Sequence, residues 1–192
     1  MKKSLGPQPL TYPTPVWAIG TYNEDGQANV MCAAWGGICC SKPPCLAVSL
    51  RSATLSHGNI SKRKAFTVNI GTEAFASQVD YFGLSTGRKV DKFAATDLTA
   101  TPSELVDAPY IEEFPLIIEC RLQQIVEVGL HSQFIGEIID VKAEEEILGG
   151  DKGLPLIEKL RPLIFSPVAR RYHGVGDFIG DAFDMGKKYR QK

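Results

Sequence analysis

Short apolar runs that alternate with polar residues fill the first third of the chain, and this pattern predicts β-strands rather than long helices. A strand is predicted over residues 15–22 ("PVWAIGTY"), and the Asp25-Gly26 dipeptide after it is typical of a hairpin. The returning strand is predicted over residues 27–38, ahead of a break at Pro43-Pro44. Two further strands are predicted over residues 45–51 ("CLAVSLR") and 65–70 ("AFTVNI").

Longer strands are predicted in the second half of the chain. Residues 115–128 and 131–145 alternate apolar and polar positions and are joined through Gly129, which predicts a long antiparallel pair. Short helices are predicted in the connections, over residues 54–64, 72–83 and 90–98. Neighbouring strands are thus joined by hairpins rather than by helical crossovers, which disfavours a doubly wound parallel sheet. We predict a mainly β fold, a closed or partly open antiparallel barrel with helices in the connections, formed by residues 1–192 as one domain.

Composition and charge exclude several classes of function. The chain has 192 residues, of which 44% are hydrophobic, and 21 basic side chains nearly balance 22 acidic ones. It lacks the concentrated basic patch of a nucleic-acid-binding protein and the long apolar segment of a membrane protein. Its first residues, "MKKSLGPQPL", do not form a secretory signal. We therefore expect a cytoplasmic protein that binds neither nucleic acid nor membrane.

The cysteines do not match a familiar site. There are five, at positions 32, 39, 40, 45 and 120, and the first four are spaced C-x6-C-C-x4-C with no histidine until His57. Structural zinc sites need paired cysteines or histidines at fixed spacing, so no metal site is predicted. A disulfide framework is not expected in the cytosol. The cysteines are interpreted as small, buried, apolar side chains.

One motif suggests a hydrolase. Residues 83–87 read "GLSTG", which matches the G-x-S-x-G nucleophile elbow at Ser85, and acidic residues, His131 and His173 follow downstream. The mechanism requires a strand running into the serine, whereas the preceding segment is predicted to be helical. A serine hydrolase using Ser85 is kept as a distant alternative.

Two other clusters suit a mononucleotide with a flat ring. Hydroxyl and cationic residues at predicted helix starts or in glycine-containing loops can bind a phosphate, although capped helices and solvated loops have the same composition. The first cluster is Arg51, Ser52, Thr54 and Ser56, and the second is Ser85, Thr86, Arg88 and Lys92. Edge hydrogen bonds and apolar surface for a ring could come from Asn29, Ala33, Ala34, Trp35 and His131, whose alternatives are ordinary strand and core positions.

Taken in order, the motifs resemble the flavin reductase-like family of FMN-binding split barrels, and its flavoredoxin branch in particular. The resemblance extends over about residues 13–145, with weaker support to about residue 180. The motifs that carry it are the N-x4-A-W core at 29–35 with the Pro-Pro after it, "FTVNI", "STGRKVDKF", "EFPLIIECRL" and "GLHSQFIGEI". The loop here reads Ser85-Thr86-Gly87, where the family often has serine directly before glycine.

The resemblance implies a homodimer that binds FMN non-covalently near the subunit interface. It implies that Asn29 and Trp35, with Ala34 beside them, contact the isoalloxazine ring, and that His131 and Phe165 approach it. It places the ribityl–phosphate tail against the polar set Arg51, Thr54, Ser56, Ser85 and Lys92.

The same resemblance leaves the reaction open. The protein either carries electrons through retained FMN, exchanging them with a redox partner protein, or oxidises NAD(P)H and releases reduced flavin. A flavin-binding module or dimeric scaffold without turnover is the third possibility. We therefore predict an FMN-dependent flavoprotein, with its electron donor undetermined.

Overall fold

The computed structural model describes residues 1–190, which form mainly strands with short helices between them. The strands are β1 (Thr14–Pro15), β2 (Trp17–Tyr22), β3 (Ala28–Ala33), β4 (Gly36–Ser41), β5 (Pro44–Arg51), β6 (Ala65–Ile70), β7 (Ala100–Pro102), β8 (Pro109–Ile111), β9 (Leu116–Val128), β10 (His131–Ala143), β11 (Leu148–Gly149), β12 (Leu154–Pro155), β13 (Ile164–Ser166) and β14 (Arg171–His173). The helices are α1 (Leu55–Arg63), α2 (Ala76–Leu84), α3 (Lys92–Thr96) and α4 (Ile157–Leu160), with 3₁₀ turns at Glu73–Phe75, Glu145–Ile147 and Met185–Tyr189.

A seven-stranded antiparallel sheet, in the order β3-β2-β6-β9-β10-β5-β4, forms the centre of the fold. Its two edge strands, β3 and β4, are consecutive in the chain and separated only by Ala34 and Trp35. Because so short a connection spans at most about 11 Å, the two edges must lie close together. The backbone N–H of Ser49 also donates to the Trp35 carbonyl at 2.8 Å. The sheet therefore curls into a barrel, and the predicted mainly β barrel is confirmed.

Apolar side chains fill the barrel and explain its stability. Phe66, Phe134 and Leu46 are fully buried inside it, together with neighbouring aliphatic residues from β2, β3, β5 and β6. A second apolar cluster lies outside the barrel, where Val79 and Phe82 of α2 pack against β2, β3 and later segments. The second cluster fixes α2, and the loop that follows α2 forms one wall of the cavity described below.

Most predicted elements are confirmed, and one boundary is wrong. The strands near 15–22, 45–51 and 65–70, the long β9–β10 pair and the three helices are present. The strand predicted over 27–38 is instead two strands, β3 and β4, because the chain turns from one edge of the barrel to the other at Ala34 and Trp35. In the described residues, 1–190, no helix is long and apolar enough to cross a membrane.

The prediction of five buried thiols is wrong for two cysteines. Cys45 and Cys120 are buried and Cys32 is partly buried, but Cys39 and Cys40 are exposed. Both exposed cysteines lie in β4, an edge strand with sheet pairing on one side only. An edge position, rather than the residue type, exposes these thiols.

Candidate functional site

A cavity of about 290 Å³ lies between β3, the start of α1 and the loop that follows α2. These three segments are distant in sequence and come together because α1 and α2 both pack near β3. Its walls are formed by Asn29, Met31, Cys32, Arg51, Ala53, Thr54, Leu55, Ser56, Phe82, Gly83, Ser85, Thr86, Gly87 and Lys92. The lining therefore combines apolar side chains with hydroxyls and two cationic side chains, Arg51 and Lys92.

The amino-terminal end of α1 forms the polar side of the cavity. Thr54 caps the helix, and its hydroxyl accepts from the backbone N–H of His57 at 3.3 Å. The first turn carries no acidic residue, and Arg51 precedes it. Backbone N–H groups at a helix start and a nearby cation both favour a negatively charged ligand, so this end of the cavity is suited to an anion.

A buried hydrogen-bond network fixes the polar side chains that face this cavity. The Asn29 amide donates to Ser56 Oγ at 2.9 Å and to Thr21 Oγ1 at 3.3 Å. Asn59 Nδ2 also donates to Thr21 Oγ1, at 3.0 Å. Because Ser56 Oγ accepts from Asn29, its own proton remains available to a ligand in the cavity. The network thus orients Ser56 as a donor before any ligand arrives.

Lys92 supplies a cation on the opposite wall, from the first residue of α3. Its side chain is almost fully enclosed, with 4% of its surface exposed, and Nζ donates to the Phe82 carbonyl at 2.8 Å. Burial lowers the Lys92 pKa to about 8, and burial likewise raises the pKa of the nearby Cys32 thiol to about 12. The described contacts of the Lys92 ammonium include no carboxylate, so an anionic ligand would offset its desolvation.

Gly87 allows the loop after α2 to approach the Asn29 side chain. A Cβ at position 87 would collide with Asn29 Oδ1 and would lie 3.2 Å from a methyl group of Leu55. The close approach also places Gly87 beside a second cavity, of about 490 Å³, which shares Asn29, Leu55 and Lys92 with the first. The loop therefore needs glycine here for reasons of space.

The structure brings six of the ten predicted site residues together at the first cavity. These six are Asn29, Arg51, Thr54, Ser56, Ser85 and Lys92. Five of them come from the two predicted phosphate-binding clusters, 51–56 and 85–92, which lie almost thirty residues apart in the sequence, and Asn29 joins them from β3. Their convergence is the geometric basis for a single binding site.

The other four predicted residues lie outside the walls of this cavity. Ala34 and Trp35 form the connection between β3 and β4, and Trp35 keeps 36% of its surface exposed. His131 begins β10 directly opposite Arg51 of β5, at the same end of the barrel as the cavity. Phe165, in β13, packs against the apolar cluster outside the barrel. Contact of these four residues with a flavin ring stays a prediction.

A hydrogen-bonded group of three residues was not predicted from the sequence. The buried hydroxyl of Ser132 donates to Glu127 Oε2 at 2.8 Å and lies 2.7 Å from His57 Nε2. Because the hydroxyl donates to the carboxylate, it accepts from His57, whose Nε2 carries the proton. The group connects α1, through His57, to the β9–β10 hairpin. His57 directly follows Ser56 in the sequence. The β9–β10 pairing places Ser132 opposite Glu127, but His57 joins them only through the tertiary fold.

The structure does not form the nucleophile elbow suggested by "GLSTG". Helix α2 runs into Ser85, where the elbow requires a strand, and Ser85 itself is the extended residue that ends α2. The next helix, α3, begins only at Lys92. Without the strand–turn–helix geometry, the Ser85 hydroxyl lacks the setting of a hydrolase nucleophile.

Comparisons with known proteins agree with this geometry. The flavin reductase like domain family matches residues 10–175 of the chain. The solved structure of flavoredoxin from Desulfovibrio vulgaris (Miyazaki F) is 52% identical, with a TM-score of 0.92 over 97% of this chain and 100% of that chain. Flavoredoxin from Methanosarcina acetivorans is 31% identical, with a TM-score of 0.90 over 99% and 100% of the two chains. A high molecular weight rubredoxin of Moorella thermoacetica is 34% identical over 102 residues, which are 52% of this chain but only 43% of that protein.

Proposed function

Because the chain belongs to the flavin reductase-like family, as its sequence motifs predicted, we propose that it binds FMN non-covalently and carries electrons through it. The observation that carries the proposal is the convergence of Lys92 and the start of α1 on one cavity. The amino-terminal end of α1, with Thr54 and Ser56, would hold the phosphate and the ribityl hydroxyls, with Arg51 and Lys92 balancing the negative charge.

The residues present fit the chemistry of an FMN tail. A phosphate accepts hydrogen bonds and carries negative charge, and this cavity offers donors and two cations. Ribityl hydroxyls both donate and accept, which suits Ser56 Oγ and Asn29 Oδ1. The apolar wall of Met31, Leu55 and Phe82 can cover the less polar parts of the ligand.

The flavin supplies the electron chemistry when it is bound, and the protein supplies binding, orientation and electrostatics. Lys92 is the residue with the clearest electrostatic role, because a buried cation stabilises negative charge on any group held beside it. His131, at the same end of the barrel, is the second candidate for this role.

Retention of FMN with transfer to a redox partner protein is the mode we favour. Two solved structures that this chain matches over almost its whole length are flavoredoxins, and a relative from Moorella is named a high molecular weight rubredoxin. The alternative is an NAD(P)H-dependent oxidoreductase that releases reduced flavin. The test is to purify the protein, record its visible spectrum, and follow NADH and NADPH oxidation with added FMN. Co-purified flavin and slow nicotinamide oxidation support the carrier, whereas colourless protein with rapid multiple-turnover oxidation supports the alternative.

A homodimer completes the proposal. At about 290 Å³, the cavity in one chain is at the small end of the range for ligand sites, so the ring system would extend beyond it. Large apolar side chains near the carboxyl terminus, at Phe178, Ile179 and Phe183, are exposed in the single chain. Large apolar side chains left exposed in a single chain are typical of interaction sites when they form a contiguous patch, which a partner subunit would cover. Light scattering should give twice the chain mass of 21.0 kDa, and a monomer with full FMN affinity would contradict a shared site.

Replacing Gly87 with alanine should lower FMN affinity by about tenfold, because relief of the collision with Asn29 Oδ1 requires a shift of the loop or of the amide. Titration of the apoprotein with FMN, followed by quenching of flavin fluorescence, measures the change. Gly58→Ala is the matched control, since a Cβ there meets no atom within 4 Å and alanine favours the helix. Equal affinities for the two variants would contradict the role given to Gly87.

FMN affinity should also depend on pH through Lys92. The Lys92 pKa is about 8 in the ligand-free protein, and a bound phosphate would raise it. Above pH 8 the complex therefore holds a proton on Lys92 that the free protein has lost. Affinity should therefore fall as pH rises above 8, by up to about tenfold per pH unit. It should also fall below about pH 6, where the phosphate dianion takes up a proton and becomes a monoanion. FMN titrations from pH 5.5 to 9.5 measure both losses of affinity, and Lys92→Met should remove the loss above pH 8.

A further inference from the structure

Three of the five cysteines lie together at the β4–β5 hairpin, at the end of the hairpin away from Arg51. Cys39 and Cys40 belong to edge strand β4, and Cys45 belongs to β5. The hairpin turns through Lys42 and Pro43. The proposed flavin site uses none of these three thiols.

The strand register places two of the thiols directly opposite each other. Cys40 pairs with Cys45, and a register shift between Ile38 and Cys40 leaves Cys39 as the extra residue of a β-bulge. Directly opposed residues of antiparallel strands have Cα atoms about 4.5–5.5 Å apart and point to the same face. A disulfide needs Cα atoms about 4.4–6.8 Å apart, so the spacing typical of a directly opposed pair lies within the range that a bond between Cys40 and Cys45 requires.

The surroundings give the two thiols different reactivities. Cys40 is exposed on an edge strand and accessible to a small oxidant, whereas Cys45, in the inner strand β5, is buried. Burial raises the Cys45 pKa, and the neighbouring Cys40, Cys39 and Glu137 raise it further. Glu137 is the residue paired with Cys45 on its other side, in β10. Cys40 is therefore the thiol that reacts first, and Cys45 remains as a thiol to resolve the product.

We propose that Cys40 and Cys45 form a reversible thiol–disulfide site that responds to hydrogen peroxide. Peroxide oxidises the Cys40 thiolate to a sulfenic acid and is itself reduced to hydroxide, which takes up a proton to become water. The Cys45 sulfur then attacks the Cys40 sulfur, the S–S bond forms, and the hydroxyl leaves with the Cys45 proton as a second water. Two thiols thus lose two electrons and two protons, and one peroxide becomes two waters. In the reducing cytoplasm predicted from the sequence, such a bond would be transient and sensory.

The test treats the reduced, desalted full-length protein with a small excess of hydrogen peroxide. Thiols left free are blocked with iodoacetamide, and the oxidised ones are then reduced and labelled with N-ethylmaleimide. Two of the five thiols should be lost, the intact mass should fall by about 2 Da, and the second label should map to Cys40 and Cys45. The protein should remain a single chain on a non-reducing gel, and dithiothreitol should restore all five thiols.

Variants separate this site from general thiol oxidation. Cys40→Ser and Cys45→Ser should each abolish the 2 Da loss, whereas Cys39→Ser, which changes the neighbouring exposed thiol, should retain it. The double-label map of the unmodified protein decides the outcome even where a Cys45 variant folds poorly. Sulfinic or sulfonic acid at Cys40, a disulfide between two chains, or loss of the reaction in Cys39→Ser would each overturn the proposal.

Discussion

Lys92→Met should weaken FMN binding by about 10- to 100-fold, the largest effect we expect of any single change at the cavity. A hydrogen bond to a charged group contributes about 1.5–3 kcal/mol, and each 1.4 kcal/mol is a factor of about ten in affinity. Methionine fills much of the volume of the lysine side chain, so the buried packing around α3 is largely kept while the positive charge is removed. Calorimetric titration of the apoprotein with FMN measures the loss directly.

The control for Lys92→Met is Lys62→Ala. Lys62 is an exposed cation in the last turn of α1, the helix that also supplies Ser56, and its ion pair with Glu24 is at the surface. Its replacement should change FMN affinity less than twofold, because exposed pairs contribute little. If both variants bind as the unmodified protein does, Lys92 is not a ligand of the phosphate. If both lose affinity equally, long-range charge rather than the cavity determines binding.

Lys142→Met should lower the free energy of unfolding by about 3 kcal/mol, because it leaves the carboxylate of Glu119 buried without its counter-charge. Glu119 lies in β9 with no exposed surface, and Lys142 Nζ is 3.1 Å from its Oε2. Lys142 is itself partly exposed and also contacts Asp140 at 3.2 Å, so the expected cost is at the low end for a broken buried pair. Urea denaturation measures the change.

The double variant Glu119→Met/Lys142→Met provides the control. Replacing both members of a buried ion pair with apolar groups of similar volume is often close to neutral, so most of the lost stability should return. A Lys142→Met variant that loses less than about 0.5 kcal/mol would contradict the role assigned to the ion pair. A double variant no more stable than Lys142→Met would show that lost packing, rather than an unpaired charge, causes the destabilisation.

The sequence predicted those parts of the fold that short-range patterns determine. The Asp25-Gly26 hairpin and the alternation along β9 and β10 depend on neighbouring residues, and both are correct in the structure. The turn at Ala34 and Trp35 was missed because residues 27–38 contain no proline or charged residue, and the Gly36-Gly37 pair that follows the turn lies within an otherwise apolar run. That turn follows from barrel closure, in which edges distant in sheet order meet. Barrel closure is a long-range property that periodicity does not report.

In the cavity, too, the features set by neighbouring residues were predictable and those set by long-range contacts were not. Hydroxyl and cationic residues at the start of α1 were predictable because a capped helix that begins with Ser or Thr and lacks acidic residues favours an anion. The approach of Gly87 to Asn29 was not predictable, since it joins residues almost sixty positions apart. The contact of His57 with Ser132 is of the same kind. The exposure of Cys39 and Cys40 depends on β4 being an edge strand, which the sequence does not show.

The central claim, that the cavity between α1 and Lys92 holds the phosphate end of a flavin, is tested most directly by comparing FMN with riboflavin. Riboflavin has the same ring and ribityl chain but no phosphate. Calorimetric titration of the apoprotein at pH 7 should give an affinity for FMN at least about 100-fold higher than for riboflavin, and Lys92→Met should reduce that ratio by about 10- to 100-fold. Equal affinities for FMN and riboflavin in the unmodified protein would contradict the claim.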